Sequence, residues 1–302
     1  MELNSFQEKM RHFLPEIELR FEEPMSRHTS LRIGGPAEVM AFPQNPQELA
    51  HILKVSKELD ITCAILGAGT NILAPDEGCR GVVICLKDCL GGMEPLPGNC
   101  IRVMAGVTMA RAAVFAANHG LSGLEFAHGI PGTVGGGVYM NAGAYGGEMS
   151  GICRSVTLMD GAGQLREVNA RELGFSYRHS KLQESGEIVI SAVLQLQPAA
   201  PEEVKQKMRE LQAKRLASQP LDYPSAGSAF KRPAGGYAAA LIDQAGLRGF
   251  QVGQAAIARK HAGFAINLGG ATAAEMRELL TQVSDRVFRQ TGIRLEPEIR
   301  IW

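Results

Sequence analysis

The sequence lacks most of the features that reveal a function class at once. Net charge is absent, since 31 Lys and Arg balance 31 Asp and Glu; no overall field gathers nucleic acid or holds an anionic membrane surface, and any anion must be bound locally. There is no run of about 18 apolar residues that would span a bilayer. The opening stretch MELNSFQEKMRHFLPEIELRF is broken by charges every few residues and lacks the apolar segment and small-residue cleavage site of a signal peptide. The six cysteines, Cys63, Cys79, Cys85, Cys89, Cys100 and Cys153, contain no CxxC pair, so zinc is not indicated and a reduced cytoplasm is the simpler expectation. None of the seven histidines falls in an HxH or HExxH spacing, and no metal is expected. His28, His128, His179 and His261 lie in polar, glycine-bearing segments and read as hydrogen-bonding orienters.

What is present is an ordinary globular composition with one outlier. Of 302 residues, 45% are hydrophobic and 21% charged, which excludes disorder and gives a prior of about two domains, or three small ones sharing a cleft. Glycine occurs 35 times, and residues 120–151 hold eleven of these with Glu125 and Glu148 the only residues there from among Asp, Glu, Lys and Arg. Before that segment, Asn45, Pro46 and Glu48 predict a capped helix over 45–60 whose Leu49, Ile52, Leu53 and Leu59 share a face. Short β-branched runs at 62–66, 82–86 and 101–105 predict strands, and 108–119 a helix ended by Gly120. After it, 156–160, 165–168 and 187–196 predict sheet, 201–219 a charged helical connector, and Thr272 with Glu275 opens a helix ending near Gly292. A strand over 293–302 is expected to close the chain. Helices and strands alternate without a repeat of fixed period, so the class is α+β in two or three subdomains.

Two glycine motifs carry chemistry. GAGTN, Gly67–Asn71, follows a predicted strand, where backbone amides can converge on an anion; it reads equally well as a tight turn. It is not the GxGxxG that opens a Rossmann helix, and no GxxxxGK phosphate loop occurs. GIPGTVGGGVYMNAGAYGGE, residues 129–148, is too apolar for a linker and too glycine-rich for helix or strand interiors, so an ordered loop is expected. Its glycines permit close backbone approach to a flat or phosphorylated ligand, and its amides satisfy a pyrophosphate without desolvated lysines. A structural Ω-type loop is the plainer alternative.

Three further spots place polar side chains among apolar neighbours: Tyr177 and Arg178 in FSYRHS, Ser228 in PSAGSAFKRP and Glu298 in LEPEIRIW. An arginine held by aromatics can fork onto a carboxylate, though a surface arginine covering a ring has the same pattern. Ser228 is outside any GxSxG elbow, so nucleophilic serine chemistry is not indicated. Glu298, alternating with Glu296 and Arg300, also fits one solvated strand face.

Taken in order, SRHTSLRIGGPAE, ILGAGTNIL, GLEFAHGIPGTVGGGVYMNAGAYGGE, FSYRHS, PSAGSAFKRP and HAGFAIN followed by LEPEIRIW resemble the bacterial UDP-N-acetylenolpyruvoylglucosamine reductases, flavoenzymes of peptidoglycan precursor synthesis. The resemblance runs from about Ser26 to Ile301. It implies the FAD-binding fold of the vanillyl-alcohol-oxidase type, with FAD-binding subdomains over 1–80 and 81–200, a helical connector over 201–220 and an α+β substrate-binding domain over 221–302. By matching position, Gly67, Ala68, Gly69, Thr70, Asn71, Gly129, Pro131, Gly132, Thr133, Gly135, Asn141, Ala142, Gly143 and Ala144 would line a non-covalent FAD. NADPH would supply the hydride and the enolpyruvyl ether of UDP-N-acetylglucosamine would receive it at C3, in one pocket used in turn. Arg178, Ser228 and Glu298 would be catalytic, with Ser228 giving a proton to C2 and Glu298 preferred to Glu296. Tyr177, Arg215, Lys231 and Arg248 would touch substrate, with Arg232 a further basic residue of the same region. No nucleic-acid or membrane partner is expected, and the expected assembly is a monomer. The second tyrosine-bearing insertion of longer members is missing after Lys181. An FAD-linked oxidase of the same fold and a non-catalytic flavin-binding module are the alternatives; the Tyr-Arg pair with Ser228 argues against the first, and Arg178, Ser228 and Glu298 together against the second.

Overall fold

A computed structural model describes residues 2–302. The chain forms two compact units, neither continuous in sequence. The first contains the chain through Glu23, Glu38–Ala68 and Arg80–Ala213; the second contains Pro24–Ala37, Gly69–Cys79 and Lys214–Trp302.

The first unit holds two sheets. In the four-stranded one the order is Glu18–Pro24, Pro36–Phe42, Cys79–Cys85 and Cys63–Leu66, the last two parallel with Cys63 opposite Val82. Helix Pro46–Glu58 begins where the sequence predicts: the Asn45 side chain accepts from the Glu48 N–H at 2.9 Å, satisfying one orphan donor. Its Leu49, Ile52 and Leu53 pack with Val39, Ala41, Val82 and Ile84 of the sheet. The five-stranded sheet runs Leu165–Asn169, Cys153–Met159, Ile188–Gln195, Cys100–Met104 and Met93–Leu96, antiparallel throughout. Helix Met109–Asn118, capped by Thr108, presents small residues to this core: Ala112, Ala113, Ala116 and Ala117 are at most 1% exposed. Alanine there lets a helix approach closely while retaining the best helix propensity.

In the second unit a four-stranded antiparallel sheet is ordered Ser225–Ser228, Phe264–Asn267, Ala255–Ile257 and Gln251–Val252. Helix Ala273–Thr291 carries the predicted Thr272/Glu275 capping box and ends at Gly292 in the left-handed conformation. It has a further cap that sequence periodicity does not reveal: the Asp76 carboxylate accepts from the N–H groups of Ala273 at 2.7 Å and Ala274 at 3.0 Å. Leu31, Ile33 and Leu73, from the two early segments, belong to the same core as Ile242, Met276, Leu279 and Val283.

Two expectations need correction. Residues 134–139 of the glycine-rich segment are a short α-helix rather than loop throughout. Thr133 caps it and packing selects its glycines, so glycine's poor propensity is overridden. The closing strand shrinks to Arg300–Ile301, which pairs in parallel with Ile72–Leu73; Pro297 has no N–H to extend a ladder and makes only an isolated bridge with Phe230.

Candidate functional site

The start of the first glycine motif, Gly67 and Ala68, meets the second motif in the first unit. A Cβ on Gly67 would lie 2.7 Å from Thr133 Oγ1, so the absence of a side chain there is what lets Gly67 lie against the second motif. The second motif is fastened to the end of strand Cys100–Met104 and the turn after it. Met109 N–H donates to Gly132 O at 2.9 Å, Val134 N–H to Val107 O at 2.8 Å and Gly135 N–H to Ala105 O at 3.0 Å. Beyond the short helix the chain makes a small hairpin, Gly143–Ala144 paired with Gly147–Glu148, turning through Tyr145 and Gly146 at φ +53° and +86°. Pro131 and Ala142 flank the same helix, and Ala142 N–H donates to Gly137 O at 2.8 Å. Gly129 lies just ahead, after the turn that closes with Glu125–Ala127.

Asn141 is 1% exposed at φ +43°. Its amide is held at both ends by protein: Nδ2 donates to Ser176 O at 2.9 Å and Oδ1 accepts from Ser150 N–H at 2.9 Å. It thereby ties the hairpin to the FSYRHS turn, in which Ser176 and His179 exchange backbone hydrogen bonds of 3.1 and 3.2 Å. Arg178 sits at φ +55°, sparsely populated for a non-glycine residue. Its Nη2 donates to Gly143 O at 3.0 Å and its guanidinium carbon lies 4.9 Å from the Tyr177 ring centroid. The arginine therefore covers an aromatic ring and reaches the glycine-rich hairpin. Ser180 and Gln183, which the sequence reading passes over, hydrogen-bond Tyr139 O at 2.7 and 3.2 Å. Of the four histidines read as orienters, His179 Nε2 lies 3.0 Å from Glu184 Oε1 and His261 Nδ1 accepts from Gly263 N–H at 3.1 Å.

The second unit brings together the remaining candidates. Gly69, at φ +61°, leaves no room for a side chain, since a Cβ would lie 2.0 Å from His28 O. Thr70 follows, and Asn71 reaches the C-terminal segment: Nδ2 donates to Glu298 O at 3.1 Å, and Asn71 O accepts from Arg300 N–H at 3.0 Å. Ser228 ends a strand whose register slips between Ser225 and Ser228, with Gly227 at φ +78°. Such a bulge re-aims the side chain that follows it, and Ser228 is exposed. Next to it, Glu298 N–H donates to Ala229 O at 2.9 Å and Lys231 N–H to Glu296 O at 2.8 Å, so Ser228 and Glu298 lie on neighbouring extended segments. Lys231 Nζ pairs with Glu296, and with Arg232, Arg294 and Pro233 these line an open cavity of about 380 Å³.

Arg248 stands apart. Its guanidinium forks onto Asp243 and donates through Nη1 to Arg259 O at 2.9 Å. The same pair holds the Asp243 carboxyl below its ordinary value, chiefly through that hydrogen bond. Arg215 is half-buried in the last turn of helix Pro201–Ser218. Among the described residues no group of three or more His, Cys, Asp or Glu is arranged to hold a metal ion.

The donor set fits FAD. A cradle of glycines, amide-rich and bearing few charges, suits a pyrophosphate and a flat ring better than a lysine-lined pocket would. Residues 37–169 match the family described as "FAD binding domain", and residues 219–302 match "UDP-N-acetylenolpyruvoylglucosamine reductase, C-terminal domain". A UDP-N-acetylenolpyruvoylglucosamine reductase from Agathobacter rectalis is 44% identical, and one from Streptococcus pneumoniae 42% identical, each alignment covering 98% of both chains. The crystal structure of the corresponding reductase from Thermus caldophilus superposes with a TM-score of 0.78 at 34% identity, over 95% of this chain and 99% of that one. The fold and these matches therefore define an FAD-dependent oxidoreductase with an FAD-binding domain and a C-terminal α+β domain. Within that class the chain belongs to the UDP-N-acetylenolpyruvoylglucosamine reductase family.

Proposed function

We propose that this chain reduces the enolpyruvyl ether of UDP-N-acetylglucosamine to UDP-N-acetylmuramate, a step in making peptidoglycan precursors, with NADPH as hydride donor. The observation that carries the reading is the pairing of the Ser228 and Glu298 segments through the 2.9 Å bond from Glu298 N–H to Ala229 O, in a chain whose family performs this reduction. Gly67–Asn71 and the residues chosen between Gly129 and Ala144 would hold FAD, which would supply the hydride chemistry linking NADPH to C3 of the substrate.

The residues of the chain then manage charge and proton. Hydride arrival at C3 leaves negative charge at C2 delocalised into the adjoining carboxylate. Arg178 receives that carboxylate through its planar fork, and the attraction strengthens as charge accumulates, which is the condition for lowering a barrier. Ser228 Oγ–H delivers a proton to C2, completing the addition of H⁻ and H⁺ across the double bond. A serine is a weak acid, yet an enolate is a strong base, so fixed geometry makes the transfer feasible. Glu298 polarises the carboxylate or the proton path. It is preferred to Glu296 because the Glu296 carboxylate is exposed and taken up by Lys231.

Tyr177 and Lys231 contact the substrate, together with Arg215. Arg248 is assigned to the same set, although its fork onto Asp243 makes its contribution one of shaping that surface. Gly67–Asn71 and the chosen residues between Gly129 and Ala144 hold FAD. The proposed partition is 1–80 and 81–200 for the cofactor, 201–220 as connector and 221–302 for substrate, supported by one sheet falling mainly in each of the three larger parts. The protein is proposed to act in the cytoplasm as a monomer. No described helix is long and apolar enough to cross a membrane.

The test is the visible spectrum of the purified protein under anaerobic conditions. A flavin spectrum that bleaches with NADPH and returns on adding the enolpyruvyl nucleotide is expected. Bleaching that only oxygen reverses identifies an oxidase instead, and protein that is well folded without flavin overturns the cradle argument.

A further inference from the structure

Arg178 is the residue whose backbone is least comfortable in its turn, and its guanidinium needs a fixed direction to meet a planar carboxylate. A left-handed φ of +55° is sparsely populated in a side-chain-bearing residue and persists only where the surroundings over-determine it. The surroundings here are side chains that follow the turn. Gln183 Nε2 donates to Arg178 O at 3.1 Å and to Tyr139 O at 3.2 Å, with Met140 Sδ at 3.7 Å. Ser180, fully buried, donates from Oγ to the same Tyr139 carbonyl at 2.7 Å. One side-chain amide thus joins the backbone of Arg178 to the last residue of helix Val134–Tyr139, the helix that leads into the hairpin whose Gly143 carbonyl receives the Arg178 guanidinium. The arginine is held at both ends, its peptide by Gln183 and its side chain by Gly143.

We infer that Gln183, assisted by Ser180, is a positioning residue that sets the aim of the Arg178 guanidinium at the substrate carboxylate. This rests on the proposed role of Arg178. Gln183 touches neither reacting atom; it acts through the arginine. Replacing its N–H₂ by an oxygen, as in Gln183→Glu, sets a negative oxygen against two carbonyl oxygens. Gln183→Met keeps the length and removes the donor without adding charge.

The experiment compares holoenzyme carrying Gln183→Glu, Gln183→Met, Arg178→Ala and the double variant Gln183→Met/Arg178→Ala. Anaerobic stopped flow follows flavin bleaching by NADPH separately from flavin reoxidation by the enolpyruvyl nucleotide. With Gln183→Met, bleaching is expected to stay within about twofold of wild type while reoxidation slows about tenfold, the scale on which a small misplacement acts. Gln183→Glu is expected to slow it more. On the Arg178→Ala background Gln183→Met is expected to add less than about twofold, because a residue acting through another has nothing left to act on. A second readout needs no turnover: titrating the oxidised holoenzyme with UDP-N-acetylmuramate, by flavin difference spectrum, is expected to show weaker binding with Gln183→Met and no further weakening in the double variant. If Arg178→Ala slows reoxidation but Gln183→Met does not, the inference is overturned and the role of Arg178 stands. Equal losses from Gln183→Met with and without Arg178 also overturn it, marking a general structural effect. Reoxidation unchanged in Arg178→Ala sinks the role of Arg178 and this inference with it.

Discussion

Ser228 shows how a single side chain is placed by its neighbours. The glycine before it turns left-handed at φ +78°, the ladder slips by one residue, and the hydroxyl emerges beside the Glu298 segment. Removing the hydroxyl leaves that backbone intact. Ser228→Ala is therefore expected to bleach normally with NADPH and to slow substrate reduction by ~10²-fold or more, a general acid's usual share; equal slowing of both half-reactions removes the proton-donor role. The cysteines give a different prediction at this scale. Burial pushes the Cys153 thiol up to about 12 and the Cys85 thiol up to about 11, from ordinary values near 9. Between those values the unfolded chain has lost protons that the folded chain keeps. Their stabilisation is thus complete below pH 9 and is lost as the pH rises through the folded values. Melting temperature should fall above pH 9, and Cys153→Ala should flatten that fall. A melting curve equally steep in the variant assigns the base lability elsewhere. At residue scale the sequence singles out residues that differ from their surroundings, as Arg178, Ser228 and Glu298 do. It was silent on Gln183 and Asp76, ordinary polar residues whose meaning comes only from what the fold brings to them.

Elements were legible where local signals suffice. Asn45 with Pro46 and Glu48, and Thr272 with Glu275, name their helices because a cap is a contact between residues three apart. Helix Val134–Tyr139 was not legible, because a VGGGVY run is a poor helix in isolation and its reason lies in distant strands. A Cβ on Gly135 would lie 2.9 Å from Ala105 Cβ and 3.2 Å from Ala105 O, and one on Gly137 2.9 Å from Met109 Sδ. The glycines are the price of laying this helix directly on the sheet end. Gly135→Ala gains intrinsic helix propensity of about 1 kcal/mol yet must push against Ala105, whose N–H is tied to Ile190 O of the sheet at 2.8 Å, and overpacking typically costs ~1–3 kcal/mol. The expected outcome is net destabilisation in chemical denaturation together with weaker FAD retention on gel filtration. Gly151→Ala, where a Cβ meets nothing within 4 Å, is the matched control and should change neither. If Gly135→Ala is as stable as the control, the close approach is softer than its distances imply.

At the scale of the whole molecule, the chain's division was the least legible feature, since it depends on contacts between residues some two hundred positions apart. Composition changes near residue 220 suggest a C-terminal block that could stand alone. The second unit nevertheless includes Pro24–Ala37 and Gly69–Cys79, and these segments are structural parts of it. Leu31 and Leu73 are fully buried and Ile33 is 2% exposed in its core. Asn267 Nδ2 donates to Leu31 O at 2.9 Å, and Asp76 caps the helix Ala273–Thr291. Strand Arg300–Ile301 has Ile72–Leu73 as its partner. Without the two segments, three large apolar side chains leave the core, each worth ~1.5–3 kcal/mol when fully buried, and a cap worth about 1 kcal/mol goes with them. That loss, roughly 5–10 kcal/mol, is comparable to the whole stability of a typical domain, about 5–15 kcal/mol. Residues 214–302 expressed alone are expected to show no cooperative thermal transition by circular dichroism, and the full chain is expected to show one. A cooperative melt of the fragment would mean that the C-terminal core closes over the places of Leu31, Ile33 and Leu73, and that the early segments are held by the unit without building it.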